Sequence, residues 1–195
     1  MGSVQNWCSK CFRPAMPTLI LSQVTLLFGR LEIMCDENSA LTLENAAHIF
    51  PAAGALLTEN PDPIETANEI CDILREGCEL RGSHEHLFLL LYFNRAIKRL
   101  ESGAGLNSAL LPLPKTRFSM AGVQNPVTVD FGFWTGDRFV VVFIRESPFD
   151  QHGRTEEALL KIWGFDVFSL SADEVERCGL DGATGLKILD AVHLR

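Results

Sequence analysis

The spacing of apolar residues changes character near Gly103. Before it, the periodicity is helical. Ile64, Ala67, Cys71, Leu74 and Cys78 recur every three or four positions, which predicts an amphipathic helix. Asp62 is placed to cap that helix, Pro63 suits its first position, and Glu65 falls where a capping box carries its acid. Gly82 ends it. Residues 38–57, with Leu41, Ala46, Ala47 and Phe50 apolar, also read as helical, with a break or restart at Pro51. A further helix is expected over "HEHLFLLLYFNRAIKRLESG", capped by Ser83 and closed by Gly103. Leu87 to Phe93 is apolar on all sides, so its first half is expected to be buried.

After Gly103 the texture is that of strands. "LPLPKTRFSMAGV" (111–123) reads as a strand with a proline-marked start, and "NPVTVDFGFW" (125–134) as a second. "TGDR" is a hairpin turn, followed by "RFVVVFIRES" (138–147), nearly all apolar and so expected at the sheet centre. "GRTEEALLKIWG" (153–164) is a short helix. "FDVFSLS" (165–171) is a fourth strand, which a right-handed crossover sets parallel to its neighbour. "ADEVERCGL" and "GATGLKILDAVHL" read as terminal helices. The expected architecture is α/β, an αβββαβ mixed sheet flanked by helices, with an N-terminal helical extension. The boundary falls between an N-terminal segment, 1–82, and a core, 83–195.

Composition narrows the class. The chain has 195 residues, 47% of them hydrophobic, which suits one compact domain with a small attachment. Its formal charge of −8 repels nucleic acid overall, so any such contact needs a local basic patch. The apolar stretch Met16 to Phe28 is too short to span a bilayer as a helix; a strand or short helix packed on the domain is expected, and no membrane partner. Lys10 and Arg13 precede it, but no small-x-small cleavage site follows. Translation from Met34 is an alternative start.

Six cysteines, at 8, 11, 35, 71, 78 and 178, form no dense framework, which points to reduced thiols in a cytoplasmic protein. Cys71 and Cys78 read as core residues. Cys8 and Cys11 form a lone CxxC; zinc needs two more ligands, and Cys35 and His48 are candidates by type alone. No phosphate-binding glycine loop and no nucleophile elbow is present.

The element order from residue 84, with Asp130 on the second strand, resembles the PD-(D/E)XK nuclease superfamily, the restriction-endonuclease-like fold. The stretch "FVVVFIRESPFDQHGRTEEALLKIWGFDVFSLSADEV" looks like its small single-domain members, and the resemblance covers roughly residues 83–176. In that family an acid on the first helix, the second-strand Asp and a third-strand Asp or Glu hold Mg²⁺, and a lysine two residues on activates water. A hard divalent cation wants oxygen ligands to do this. Carried over, Asp130 matches the second-strand acid and Glu85 the helix acid, and the two would hold the metal. Phe143 falls at the third carboxylate's place. Arg145 falls at the lysine's place, on the same strand face as Phe143. Arginine is effectively always protonated and a poor proton acceptor. Glu146 alternates to the opposite face and could substitute only through a bulge.

Each candidate also has a structural reading. Asp130 can be a hydrogen-bonded strand residue. Glu85 can simply oppose the helix dipole. His84 and His86 lie two apart on a helix and so share no face. Arg145 can bind a phosphate or pair with Asp130 across the hairpin; the pairing is expected, neutralising a charge that burial would make costly. Lys115, Arg117 and Arg138 are candidate nucleic-acid contacts if they cluster beside Asp130; if they scatter or pair with acids, a protein partner is expected instead. The resemblance, with its third carboxylate replaced, implies a catalytically degenerate nuclease-like protein acting as a nucleic-acid-binding or protein-interaction module. An active Mg²⁺-dependent nuclease with an atypical third ligand is the alternative, and an unrelated role on the same fold is a third. Homodimerisation is compatible with all three.

Overall fold

A computed structural model describes residues 20–26, 29–34, 39–46, 62–77, 82–118, 126–146 and 151–193; of 20–26, 29–34 and 151–153 only the backbone is described. The first described elements are strands β1 (Ile20–Leu26) and β2 (Gly29–Met34), an antiparallel hairpin with a register irregularity between Leu21 and Gln23. The strand reading of the early apolar stretch therefore holds for 20–26.

Helix α1 (Pro63–Gly77) starts where the sequence places it. The Ile64 amide donates to Asp62 Oδ1 at 3.0 Å, satisfying one of the first-turn N–H groups that a helix leaves unpaired. Ala67, Ile70, Cys71 and Leu74 are buried on one side. This stripe packs against α2 (Ser83–Glu101), whose Phe88, Leu89, Tyr92, Phe93, Ala96 and Leu100 are buried. Gly82, not Ser83, occupies the cap position of α2, with no side-chain cap bond.

The helix expected over 38–57 is absent from 39–45; Ala46 is helical, and 38 and 47–57 lie outside the described residues. Residues 39–45 run extended into a single 3-10 turn at Leu43–Asn45. Their backbone bonds go elsewhere: Leu41 N–H donates to Trp134 O, Leu43 N–H to Ala109 O, and Leu41 O accepts from Leu111 N–H. Non-local partners take the bonds that a helix would have made within itself.

The central sheet has the order β3 (Leu113–Pro114), β6 (Phe131–Trp134), β7 (Phe139–Arg145), β8 (Asp166–Ser171). The first three are antiparallel, and β8 lies parallel to β7 after helix α3 (Gln151–Ile162). This is the mixed α/β sheet expected, with the apolar strand inside it. The turn before β7 depends on Gly136, whose φ of 99° favours glycine. Helices α4 (Ala172–Cys178) and α5 (Ala183–Val192) follow.

The first two expected strands do not run unbroken. Each breaks once, giving β3 and β4 (Arg117–Phe118) on one side, β5 (Val127–Thr128) and β6 on the other. The break on the first side is Lys115, whose φ of 51° lies in the left-handed region. Pairing continues across it: Lys115 N–H donates to Asp130 O and Val129 N–H to Thr116 O, both at 2.8 Å.

Two aromatic layers enclose the sheet. Phe131 and Phe133 meet Phe88 and Tyr92 of α2, with ring centroids 4.7 and 5.3 Å apart. On the other face Phe139 packs with Trp134, Phe118 and Phe165. Alternation along β7 thus gives α2 one face and α3 the other. At full burial each such side chain contributes about 1.5–3 kcal/mol.

Candidate functional site

The kink places three ionisable side chains together. Lys115 leaves the strand path in its left-handed conformation, directly opposite Asp130. Glu85 comes from the first turn of α2, which begins at this end of the sheet. The Lys115 ammonium donates to Glu85 Oε1 at 2.5 Å and to Asp130 Oδ1 at 2.7 Å. Asp130 Oδ2 accepts the Ile144 backbone N–H at 2.7 Å. The three side chains are only 10–17% exposed, so water screens the cluster weakly. Charge-assisted hydrogen bonds of this kind are roughly twice as strong as neutral ones.

Glu85 and Asp130, the two acids proposed for metal, are therefore brought to a common partner. The place between them is taken by the Lys115 ammonium. The ammonium holds one oxygen of each acid, and the second oxygen of Asp130 is committed to the backbone of β7. Phe143, where the resemblance puts a third ligand, is a buried ring, 1% exposed.

The expected Arg145–Asp130 pair is corrected. Asp130 takes Lys115, while Arg145 Nη2 lies 3.2 Å from Glu157 Oε1 on α3. The Arg145 guanidinium also sits over the Phe143 ring, 4.1 Å from its centroid. Ser169 Oγ donates to the same Glu157 oxygen at 2.6 Å. Arg145 and Phe143 do share a strand face, but that face turns toward α3. Glu157 and Ser169 were not singled out in the sequence; nothing in their local pattern marks them.

Of the three basic residues, Lys115 bonds Asp130 and Arg117 pairs across the strands with Thr128, two residues from Asp130, but Arg138 does not join them. Lys115 is held between two acids. Arg138 bonds Asp166 at 2.6 Å and lies 3.6 Å from Asp137. It sits six residues before Ile144, just ahead of β7, roughly 20 Å away at the usual strand rise. Arg117 is half-buried in β4.

His84 and His86 also part company. His84 Nε2 is 2.8 Å from Glu176 Oε1 on α4, and His86 Nδ1 is 3.1 Å from Gly82 O. Glu146 is exposed at the end of β7. Burial, reinforced by Asp72, pushes the Cys71 thiol up to about 11, so it stays protonated and inert as a core residue. Cys8, Cys11, Cys35, His48 and Cys78 lie outside the described residues. No helix among the described residues is long and apolar enough to cross a membrane.

No family model, curated protein or solved structure matches this chain.

Proposed function

We propose that this chain is a catalytically degenerate, nuclease-like protein that works through contact with another protein. One observation carries the reading: the Lys115 ammonium lies between Glu85 and Asp130, in the place where a nuclease of the resembling family would hold its metal. A fixed internal ammonium bonds both acids and offsets one of their two negative charges, but it neither polarises a phosphoryl group nor generates hydroxide.

The charge arrangement favours a protein over nucleic acid as partner. Of the proposed phosphate contacts, Lys115 and Arg138 are committed to acids, and Arg138 lies at the far end of the strand. The exposed side of α1 carries Glu65, Glu69, Asp72 and Glu76 in one stripe, with Arg75 alone among them as a cation. Phosphate binding draws most of its free energy from clustered cations, which this distribution does not supply.

The test is an assay of the full chain on single- and double-stranded DNA and RNA with Mg²⁺ or Mn²⁺. The reading predicts no cleavage and no salt-dependent retention of labelled oligonucleotide. Cleavage that disappears in Asp130→Ala would restore the active-nuclease reading.

A further inference from the structure

The two edges of the central sheet are finished differently. The β3 edge is blunted in the ways that keep an edge strand from recruiting another. It is two residues long, ends in Pro114, which has no N–H to offer, and gives way to the left-handed Lys115. The chain just before it is already occupied: Leu111 N–H donates to Leu41 O, and Ala109 O accepts from Leu43 N–H.

The β8 edge has none of these devices. It runs for six residues with no proline, no lysine and no shift in its ladder with β7. Its one charge, Asp166, stands at its start. Val140 to Phe143 on β7 are all buried, whereas their ladder partners, Asp166 to Ser169, are all half-buried. Successive residues of a strand point to opposite faces of the sheet. Exposure of four in a row therefore comes from the open side of the strand and not from a bare face. Among the described residues, no backbone bond outside the β7 ladder reaches Asp166 to Leu170.

The sequence of β8 fits a second copy of itself. Antiparallel edge-to-edge pairing about a two-fold axis normal to the sheet sets residues of the same face opposite each other. With the axis at Ser169, Phe168 falls opposite the partner's Leu170, apolar against apolar, and the symmetry repeats that pair. Val167 falls opposite the partner's Ser171, and Asp166 falls beyond the paired strand. An axis at Phe168 would set the Asp166 carboxylate against the partner's Leu170, and one at Val167 would set it against the partner's Phe168. Either places a charge beside an apolar side chain, which is costly. The run from Val167 to Ser171 thus carries its own complement.

We propose that the chain dimerises through β8, two copies pairing antiparallel about a two-fold axis at Ser169 and joining their sheets into one. The dimer does not depend on the reading of the Lys115 site, and its failure would leave that reading intact.

Sedimentation equilibrium of the full chain from about 1 to about 100 μM tests it over the affinity range of ordinary dimers. The expected result is a mass rising from 21.6 kDa toward twice that value with concentration. Val167→Lys puts a charge on the open edge and should weaken association roughly tenfold or more, with the circular dichroism spectrum unchanged. Ser169→Cys reads the register. Residues directly opposite in an antiparallel pair lie within disulfide reach, so diamide should cross-link this variant into a covalent dimer well beyond the wild type, whose own cysteines serve as the control. Val167→Cys, set opposite the partner's Ser171, should cross-link no more than the wild type. A monomer at every concentration would overturn the proposal and leave the edge to a foreign strand. So would a dimer in which Ser169→Cys cross-links no more than the wild type, or no more than Val167→Cys.

Discussion

Lys115 and Asp130 bond each other twice, once through the backbone and once through their side chains: N–H to O at 2.8 Å and Nζ to Oδ1 at 2.7 Å. The backbone bond fixes the hairpin register, and the side-chain bond brings the ammonium within reach of Glu85. Removing the cation leaves two shielded carboxylates facing each other. Lys115→Met should destabilise the fold by about 3 kcal/mol, the cost of breaking a largely buried ion pair from one side. Thermal unfolding should register a fall of roughly 6–12 °C for a chain of this length. Unchanged stability would show that the lysine is not needed to balance these acids.

The left-handed conformation of Lys115 permits a second comparison. A non-glycine residue there costs about 1–2 kcal/mol in backbone strain. Lys115→Gly loses the ammonium but relieves that strain, so it should be more stable than Lys115→Met by about 1 kcal/mol after the entropy that glycine loses on folding. Paired urea titrations measure the difference; equal midpoints would mean that the strain at the φ of 51° is no larger than the entropy glycine loses.

Asp130 has two separable duties, holding Lys115 and accepting the Ile144 N–H. Asp130→Asn keeps an acceptor for Ile144, whereas Asp130→Ala leaves a shielded amide without its partner, a loss of about 1–3 kcal/mol. Alanine should therefore cost more than asparagine in denaturant unfolding. The reverse order would mean that Ile144 N–H is satisfied some other way.

Much of the fold can be read from the chain because the signals are local. Asp62-Pro63 starts α1, the apolar run 139–143 makes a central strand, and Gly164 separates α3 from a parallel β8. The site was half legible. Glu85 and Asp130 are named by their positions in helix and strand, and they do converge. Their partner is not legible, because no glycine or asparagine marks residue 115 as a left-handed kink. A regular strand gives no reason to pair Lys115 with the acids, so it reads as a phosphate contact and the pairing falls to Arg145. Residues 39–45 fail for the opposite reason: the apolar positions that suggest a helix lie mostly after them, at 46, 47 and 50, while distant backbone groups take their own bonds.

Protonation of His193 should govern acid sensitivity. Burial, with Arg99 and Arg95 adding to it against the opposing Asp190, pushes its imidazole down to about 4 from an ordinary 6.5. The folded state thus prefers the neutral ring. Its contribution is full above about pH 6.5 and is lost as pH falls toward about 4, where the unfolded chain binds the extra proton. The melting temperature should decline over that window, and His193→Gln should flatten the decline. Parallel slopes for both proteins would assign the acid sensitivity elsewhere.

The most direct test of the central claim is calorimetric titration of Mg²⁺ and Mn²⁺ into the full chain and into Asp130→Ala. A site already filled by the Lys115 ammonium predicts no heat of binding at millimolar metal in either protein. Binding to the wild type that vanishes in Asp130→Ala would contradict the account, because the two acids would then hold a metal that Lys115 is said to replace.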